Sequence, residues 1–166
     1  MIVVLMGVSG SGKTTIGTLL AERVGAVFAD GDDYHPLANK EKMAAGHPLD
    51  DRDRQPWLEV LNRLLREWFA AGKSGVLACS ALKASYRATL QAEMPKGAVS
   101  FVLLEASKEM LEARLAARKH EYMNPGLLES QLATLEMPSE AVRVVNDRSP
   151  DEVVSQILAQ IPSSGR

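Results

Sequence analysis

The stretch Ile2-Val3-Val4-Leu5-Met6, followed by Gly7-Val8-Ser9-Gly10-Ser11-Gly12-Lys13-Thr14-Thr15, decides the fold. A continuous apolar run that ends at a glycine-rich turn is what a strand buried on both faces of a parallel sheet requires. From Lys13 onward, Ile16, Leu19, Leu20 and Val24 recur at helical spacing, and Gly25 supplies the stop. Gly7–Thr14 satisfies G-x-x-x-x-G-K-[ST] in full, in the strand-to-helix context that this motif needs. Chemistry explains the spacing. Glycines at 7, 10 and 12 let the main chain take positive φ, so successive N–H groups turn inward around phosphates. The helix opening near Lys13 adds the positive end of its dipole. Lys13 brings a point charge to the β- and γ-phosphates, and the Thr14 hydroxyl is a magnesium ligand. The cradle for ATP and Mg2+ is therefore expected over Gly7, Val8, Ser9, Gly10, Ser11, Gly12, Lys13, Thr14 and Thr15.

Beyond this unit the pattern alternates strand and helix. Ala26–Ala29 reads as a second strand ending in the acidic turn Asp30-Gly31-Asp32-Asp33. A polar stretch with a short helix near Asn39–Ala45 leads to a long helix over Pro56–Ala71. Its stripe is Trp57, Leu58, Leu61, Leu64, Leu65 and Trp68. Val76–Cys79, Val99–Leu104 and Val142–Val145 read as further strands. Helices are expected over Ser107–Lys119, with Ser107 as N-cap, over Leu127–Leu135, and after Ser149-Pro150. The tail from Pro162 reads as frayed. The expectation is one α/β domain over residues 1–166, a three-layer sandwich around a mostly parallel sheet of roughly five strands.

Composition narrows the partners. With 46% hydrophobic residues in 166, the chain can bury a full core without disulfides or structural metal. A lone Cys79 inside an apolar run fits a reducing, cytoplasmic setting. A net charge of −2 gives no reason to expect nucleic acid or an anionic membrane as partner. No apolar run approaches the roughly 18–20 residues of a membrane span. Met1–Met6 lacks the basic flank and the length of a signal core.

A loop of this type serves kinases, GTPases and mechanical ATPases. A GTPase needs a D-x-x-G switch and an N-K-x-D reader; Asn39-Lys40-Glu41-Lys42 begins like the reader but lacks its Asp. The third strand ends in Ser80 where an ATPase carries a magnesium-associated Asp. Asp30 and Asp32 at the end of the second strand are the alternative source, since ligands gather at the carboxyl ends of strands in open α/β sheets. One carboxylate can hold the magnesium shell and the other can orient an acceptor hydroxyl. A plain Asp-Gly turn is the competing reading, and proximity to the loop favours the functional one.

Asp30-Gly31-Asp32 with His35-Pro36, Asn39, Lys42-Met43, Gly46, Pro48-Leu49 and Asp53-Arg54-x-Pro56-Trp57 resembles the bacterial-type gluconokinase family. So do Cys79-Ser80-Ala81-Leu82-Lys83 with Tyr86-Arg87, and Leu128-x-Ser130-Gln131 leading to Thr134-Leu135-Glu136. The likeness runs from Met1 to about Asn146. It implies a fold like that of shikimate and nucleoside monophosphate kinases, ATP-dependent phosphorylation of the 6-hydroxyl of D-gluconate, and a homodimer. It also implies a substrate-binding helical segment roughly over 34–72 and a lid roughly over 118–130.

The resemblance implies roles as well. Lys13, Asp32 and Arg118 would be catalytic, with Asp32 taking the hydroxyl proton. Thr14 and Asp30 would hold magnesium. Arg54, Lys83 and Arg87 would meet the gluconate carboxylate, the last two standing four apart on one helical face, and His35 and Lys42 would line the pocket. His47 reads as a loop residue and Tyr34 as packing. Arg114 would lie near adenine and Arg118 would reach the phosphates, while Asn146 and Asp147 follow the last strand where such kinases contact the base. The chain departs from the family at Arg118-Lys119-His120-Glu121-Tyr122-Met123, where Arg-Lys-Gly-His is the pattern. A kinase for another sugar acid or for shikimate is the nearest rival, although Ser80-Ala81-Leu82 replaces the Gly-Gly-Gly turn of shikimate kinases. A nucleotide-sensing module that does not turn over is the rival from another class.

Overall fold

A computed structural model of the protein describes residues 1–117 and 125–162, with side chains described for 1–117 and 128–162. Its sheet has five strands in the order β2-β3-β1-β4-β5: β1 (Ile2–Met6), β2 (Val27–Asp30), β3 (Gly75–Ala78), β4 (Val99–Glu105) and β5 (Val142–Val145). Every pairing is parallel, with Val3 level with Val76 on one side and Ser100 on the other. The first strand is thus central and buried along its whole length, as its unbroken apolar run requires.

Seven helices are described. α1 (Lys13–Val24) and α7 (Pro150–Gln160) cover one face, where Ile16, Leu20, Val153, Val154 and Ile157 meet Val3, Leu5, Val76 and Val102. α3 (Asp51–Ala70) and α4 (Ala84–Leu90) cover the other, setting Trp57, Leu58, Leu61, Leu65 and Leu90 against Val4, Met6 and Leu77. Sheet and two helical faces make the three layers. Each fully buried leucine of α3 contributes about 1.5–3 kcal/mol. α2 (Leu37–Ala44), α5 (Lys108–Ala117) and α6 (Pro125–Thr134) complete the set. Leu111 of α5 and Leu128 of α6 close a small apolar knot with Val8 and Leu82 at the carboxyl edge of the sheet.

Two boundaries differ from expectation. The long helix begins at Asp51, five residues before Pro56, which lies inside it. Asp50 and Asp53 form a reciprocal capping box, with the Asp53 N–H donating to Asp50 Oδ1 at 2.8 Å and the Asp50 N–H to Asp53 Oδ2 at 2.9 Å. Such a cap is worth about 1 kcal/mol and sets the start ahead of the proline. The acidic turn is a 3₁₀ turn, Gly31–Tyr34, capped by the Asp30 side chain, which accepts from the Asp32 N–H at 3.0 Å. Ser107 caps α5 as expected, its hydroxyl accepting from the Met110 N–H at 3.2 Å.

Candidate active site

The carboxyl ends of β1, β2 and β3 bring the loop, the acidic turn and the Ser80–Lys83 segment to one edge. Gly10 and Gly12 stand at φ +84° and +95°, left-handed backbone that a side chain would strain. A Cβ on Gly12 would also lie 2.3 Å from Asn146 Nδ2. Asn146, buried at the end of β5, donates from that nitrogen to the Ser11 carbonyl at 2.8 Å. Arg114 donates to the Gly10 carbonyl at 3.2 Å and to the Asn146 carbonyl. Two of the three residues expected near adenine, Arg114 and Asn146, thus hydrogen-bond to main-chain carbonyls of the loop. Lys13 Nζ donates to the carbonyls of Gly7 and Val8 at 2.9 and 3.1 Å, so the ammonium arches over the loop. Asp147 lies within 3.8 Å of Arg148 Nε.

Thr14 and Asp30, 16 positions apart along the chain, meet: the Thr14 hydroxyl donates to Asp30 Oδ2 at 3.2 Å. A hydroxyl and a carboxylate side by side at the mouth of a phosphate loop form a hard oxygen pair suited to magnesium, which fills the rest of its shell with phosphate and water. Among the described residues no group of three or more His, Cys, Asp or Glu could hold a metal by itself. Asp32 is exposed one turn further on.

Next to the acidic turn lies a wall of paired charges. Trp57 Nε1 donates to the Gly31 carbonyl at 2.7 Å, which ties α3 to the acidic turn. His35 stacks on Trp57 with ring centroids 4.2 Å apart. Burial, with Arg54 and Lys40 adding to it, pulls the His35 pKa below the usual imidazole value, so the ring is held neutral. Buried Asn39 links His35 to Asp53, with Nδ2 at 3.3 Å from His35 Nδ1 and 2.8 Å from the Asp53 carbonyl. Lys42 Nζ donates to Asp53 Oδ2 at 2.6 Å; this bond lowers the Asp53 pKa and raises that of Lys42. Asp51 gathers a second set. It accepts from the Tyr86 hydroxyl and from Lys83 Nζ at 3.1 Å, and Arg54 stands at 3.8 Å. The Tyr86 and Lys83 bonds hold the Asp51 carboxyl below its ordinary range.

Arg87, expected at the gluconate carboxylate, turns to main-chain carbonyls in the structure. It is buried and does not share an exposed face with Lys83, which caps α4. Its guanidinium donates to the Ala81 carbonyl at 2.7 Å and to the Glu136 carbonyl at 2.9 Å, pinning a turn in which Ala81 has φ +46°. Tyr34 packs against the core and His47 is an exposed loop residue, as expected. Arg118, and the lid assignment over residues 118–124, lie outside the described residues; 125–130 belong to α6. Sequence reasoning gave no role to Asp51, Tyr86, Gln131 or Glu136. The Asp50-x-x-Asp53 spacing was a usable signal for the first of these, because it places Asp51 in the opening turn of α3.

Parallel sheet, phosphate loop and acidic turn together define a phosphate-loop kinase. A family model described as an AAA domain matches residues 2–138. The gluconokinase of Gluconobacter oxydans (strain 621H) is 46% identical over 159 residues, covering 93% of this chain and 88% of the relative. A gluconokinase structure from Sinorhizobium meliloti 1021 superposes with a TM-score of 0.82 at 41% identity, covering 95% of this chain and 89% of that one. The chain belongs to the gluconokinase family. A shikimate kinase from Aquifex aeolicus vf5 shares the fold, at a TM-score of 0.61 and 21% identity over 96% of this chain and 94% of the other.

Proposed function

We propose that the protein transfers the γ-phosphoryl group of ATP to the 6-hydroxyl of D-gluconate, giving 6-phospho-D-gluconate and ADP. The observation that carries this reading is the meeting of Thr14 with Asp30 at 3.2 Å, which sets the loop and the acidic turn against one another. Main-chain amides of the loop and Lys13 hold the triphosphate and take up charge that spreads over the transferring group. Asp32 orients the hydroxyl and accepts its proton as the new P–O bond forms and the bond to ADP breaks. Thr14 and Asp30 would hold Mg2+, which neutralises phosphate charge when bound. Phosphoryl transfer asks mainly for alignment, so a strong base is unnecessary.

The segment 34–72 supplies most of the acceptor side. Arg54 and Lys83 fit the carboxylate end of a hydroxylated acid, and both stand beside Asp51. His35, kept neutral, can exchange hydrogen bonds with hydroxyls, and Lys42 with Asp53 flanks it. Arg87 enters this reading through the turn that carries Lys83. A homodimer in the cytoplasm belongs to the same proposal, on family resemblance; among the described residues no helix is long and apolar enough to cross a membrane.

The test is a panel of sugar acids and shikimate, each offered with Mg-ATP, following ADP release and the position of the phosphate. Gluconate should give the highest kcat/KM with phosphate on its 6-oxygen. Preference for shikimate would overturn the acceptor assignment, and ADP release indifferent to every acid would favour the sensing module.

A further inference from the structure

Helix α6 touches both halves of the site, and its contacts are side-chain specific. At one end of the span, the Ser9 N–H donates to Gln131 Oε1 at 2.7 Å, and Gln131 Nε2 donates to Ser9 Oγ at 3.1 Å. One carboxamide thus grips the phosphate loop at two points. Just past the helix, Glu136 Oε1 accepts from the Ala84 N–H at 2.7 Å, and the Glu136 N–H donates to the Leu82 carbonyl at 2.8 Å. Lys83, between those two residues, is the lysine that faces Asp51. The apolar knot of Val8, Leu82, Leu111 and Leu128 ties the same three segments together independently of these polar bonds.

We infer that Gln131 and Glu136 are positioning residues, and that α6 sets the distance between the phosphate loop and the loop bearing Lys83. The inference rests on the gluconate reading for the identity of the acceptor. The physical reason is alignment. A transferring phosphoryl group and its acceptor must stand in line at near contact, and a displacement of about 1 Å can cost roughly a hundredfold in rate. Neither residue needs to touch a substrate. The two loops already meet through the Gly7 N–H on the Ser80 carbonyl at 3.2 Å, and α6 adds a side-chain tie further out, between Ser9 and the Leu82–Ala84 stretch that carries Lys83. Gln131 fixes one end of that tie and Glu136 the other, so cutting either end releases the same constraint.

The experiment measures kcat, both KM values and thermal midpoints for Gln131→Met, Glu136→Met, the double variant and Glu136→Gln. Each methionine variant should lose about tenfold to a hundredfold in kcat, with KM for ATP and for gluconate within about twofold of the parent. The double variant should fall no further than the weaker single one, because groups acting as one unit are not additive. Glu136→Gln keeps an oxygen for the Ala84 N–H and should retain most of kcat. Should Gln131→Met not fold, Gln131→Glu keeps an oxygen for the Ser9 N–H, removes the Nε2 donor to Ser9 Oγ, and takes its place. Unchanged kcat in the single variants, or losses that multiply in the double, would overturn the inference. A parent enzyme that ignores gluconate would instead sink the acceptor assignment, which the same assays report separately.

Discussion

The phosphate loop and the charged wall next to the acidic turn are built on opposite principles. The loop is made of consecutive residues whose main chain would do the binding in the proposed reading, and distant groups such as Asn146, Arg114 and Gln131 hydrogen-bond to it. The wall is made of side chains drawn from the 3₁₀ turn, α2, α3 and α4, and its lysines already have carboxylate partners: Lys42 with Asp53, Lys83 with Asp51. A site of amides is fixed by backbone geometry and admits few residue types. A site of paired side chains can change acceptor by exchanging one charge. The nucleotide half should therefore fail outright when altered, and the acceptor half should fail by degrees.

Lys13→Met gives the harshest test of that contrast. Turnover should drop about a thousandfold or more, with the thermal midpoint nearly unchanged because the core faces of α1 are untouched; calorimetric unfolding alongside ADP release checks both. Asp32→Asn keeps shape and removes the proton acceptor, so kcat should fall about a hundredfold while ATP affinity, read by titration, stays. A variant with undiminished kcat removes Asp32 from the mechanism. Lys83→Met should act on the acceptor alone, raising KM for gluconate about tenfold and leaving KM for ATP as it was.

The smallest effect is a slope. Unfolded His35 titrates near 6.5, whereas the folded ring, buried against Trp57 and facing Arg54, titrates lower. Between those two values the unfolded chain binds more protons, so this residue makes stability fall as pH drops through that window and level off below it. Denaturant unfolding on either side of 6.5 should show a larger acid loss for the parent than for His35→Gln. Equal losses would mean that the stacked imidazole is as free to protonate as one in water. Cys79 adds no such dependence, since burial pushes its thiol up to about 12.

Much of this was legible beforehand, and for physical reasons. The loop is contiguous, glycine positions report backbone conformation, and a strand buried on both faces has no polar residues to disguise it. A parallel sheet and three layers follow from the alternation of strands and helices, whereas the order β2-β3-β1-β4-β5 does not. The start of α3 was misplaced because Pro56 drew attention as a first-turn residue, while the cap that governs the start is the Asp50–Asp53 exchange upstream. Helical spacing sets Arg87 on one face with Lys83, whereas in the structure it is buried and donates to the carbonyls of Ala81 and Glu136. Pairs such as Lys83 with Asp51, 32 positions apart, leave no periodic trace in a sequence. Resemblance named the acceptor; it did not reveal that α6 bridges the two loops.

The most direct test of the whole account is a crystal structure with a non-hydrolysable ATP analogue, Mg2+ and gluconate bound together. The amides of the glycine loop should surround the phosphates, with metal at Thr14 and Asp30 and the gluconate 6-oxygen within hydrogen-bond reach of Asp32. A triphosphate seated away from that loop, or a gluconate whose 6-oxygen points away from both Asp32 and the terminal phosphate, would contradict it.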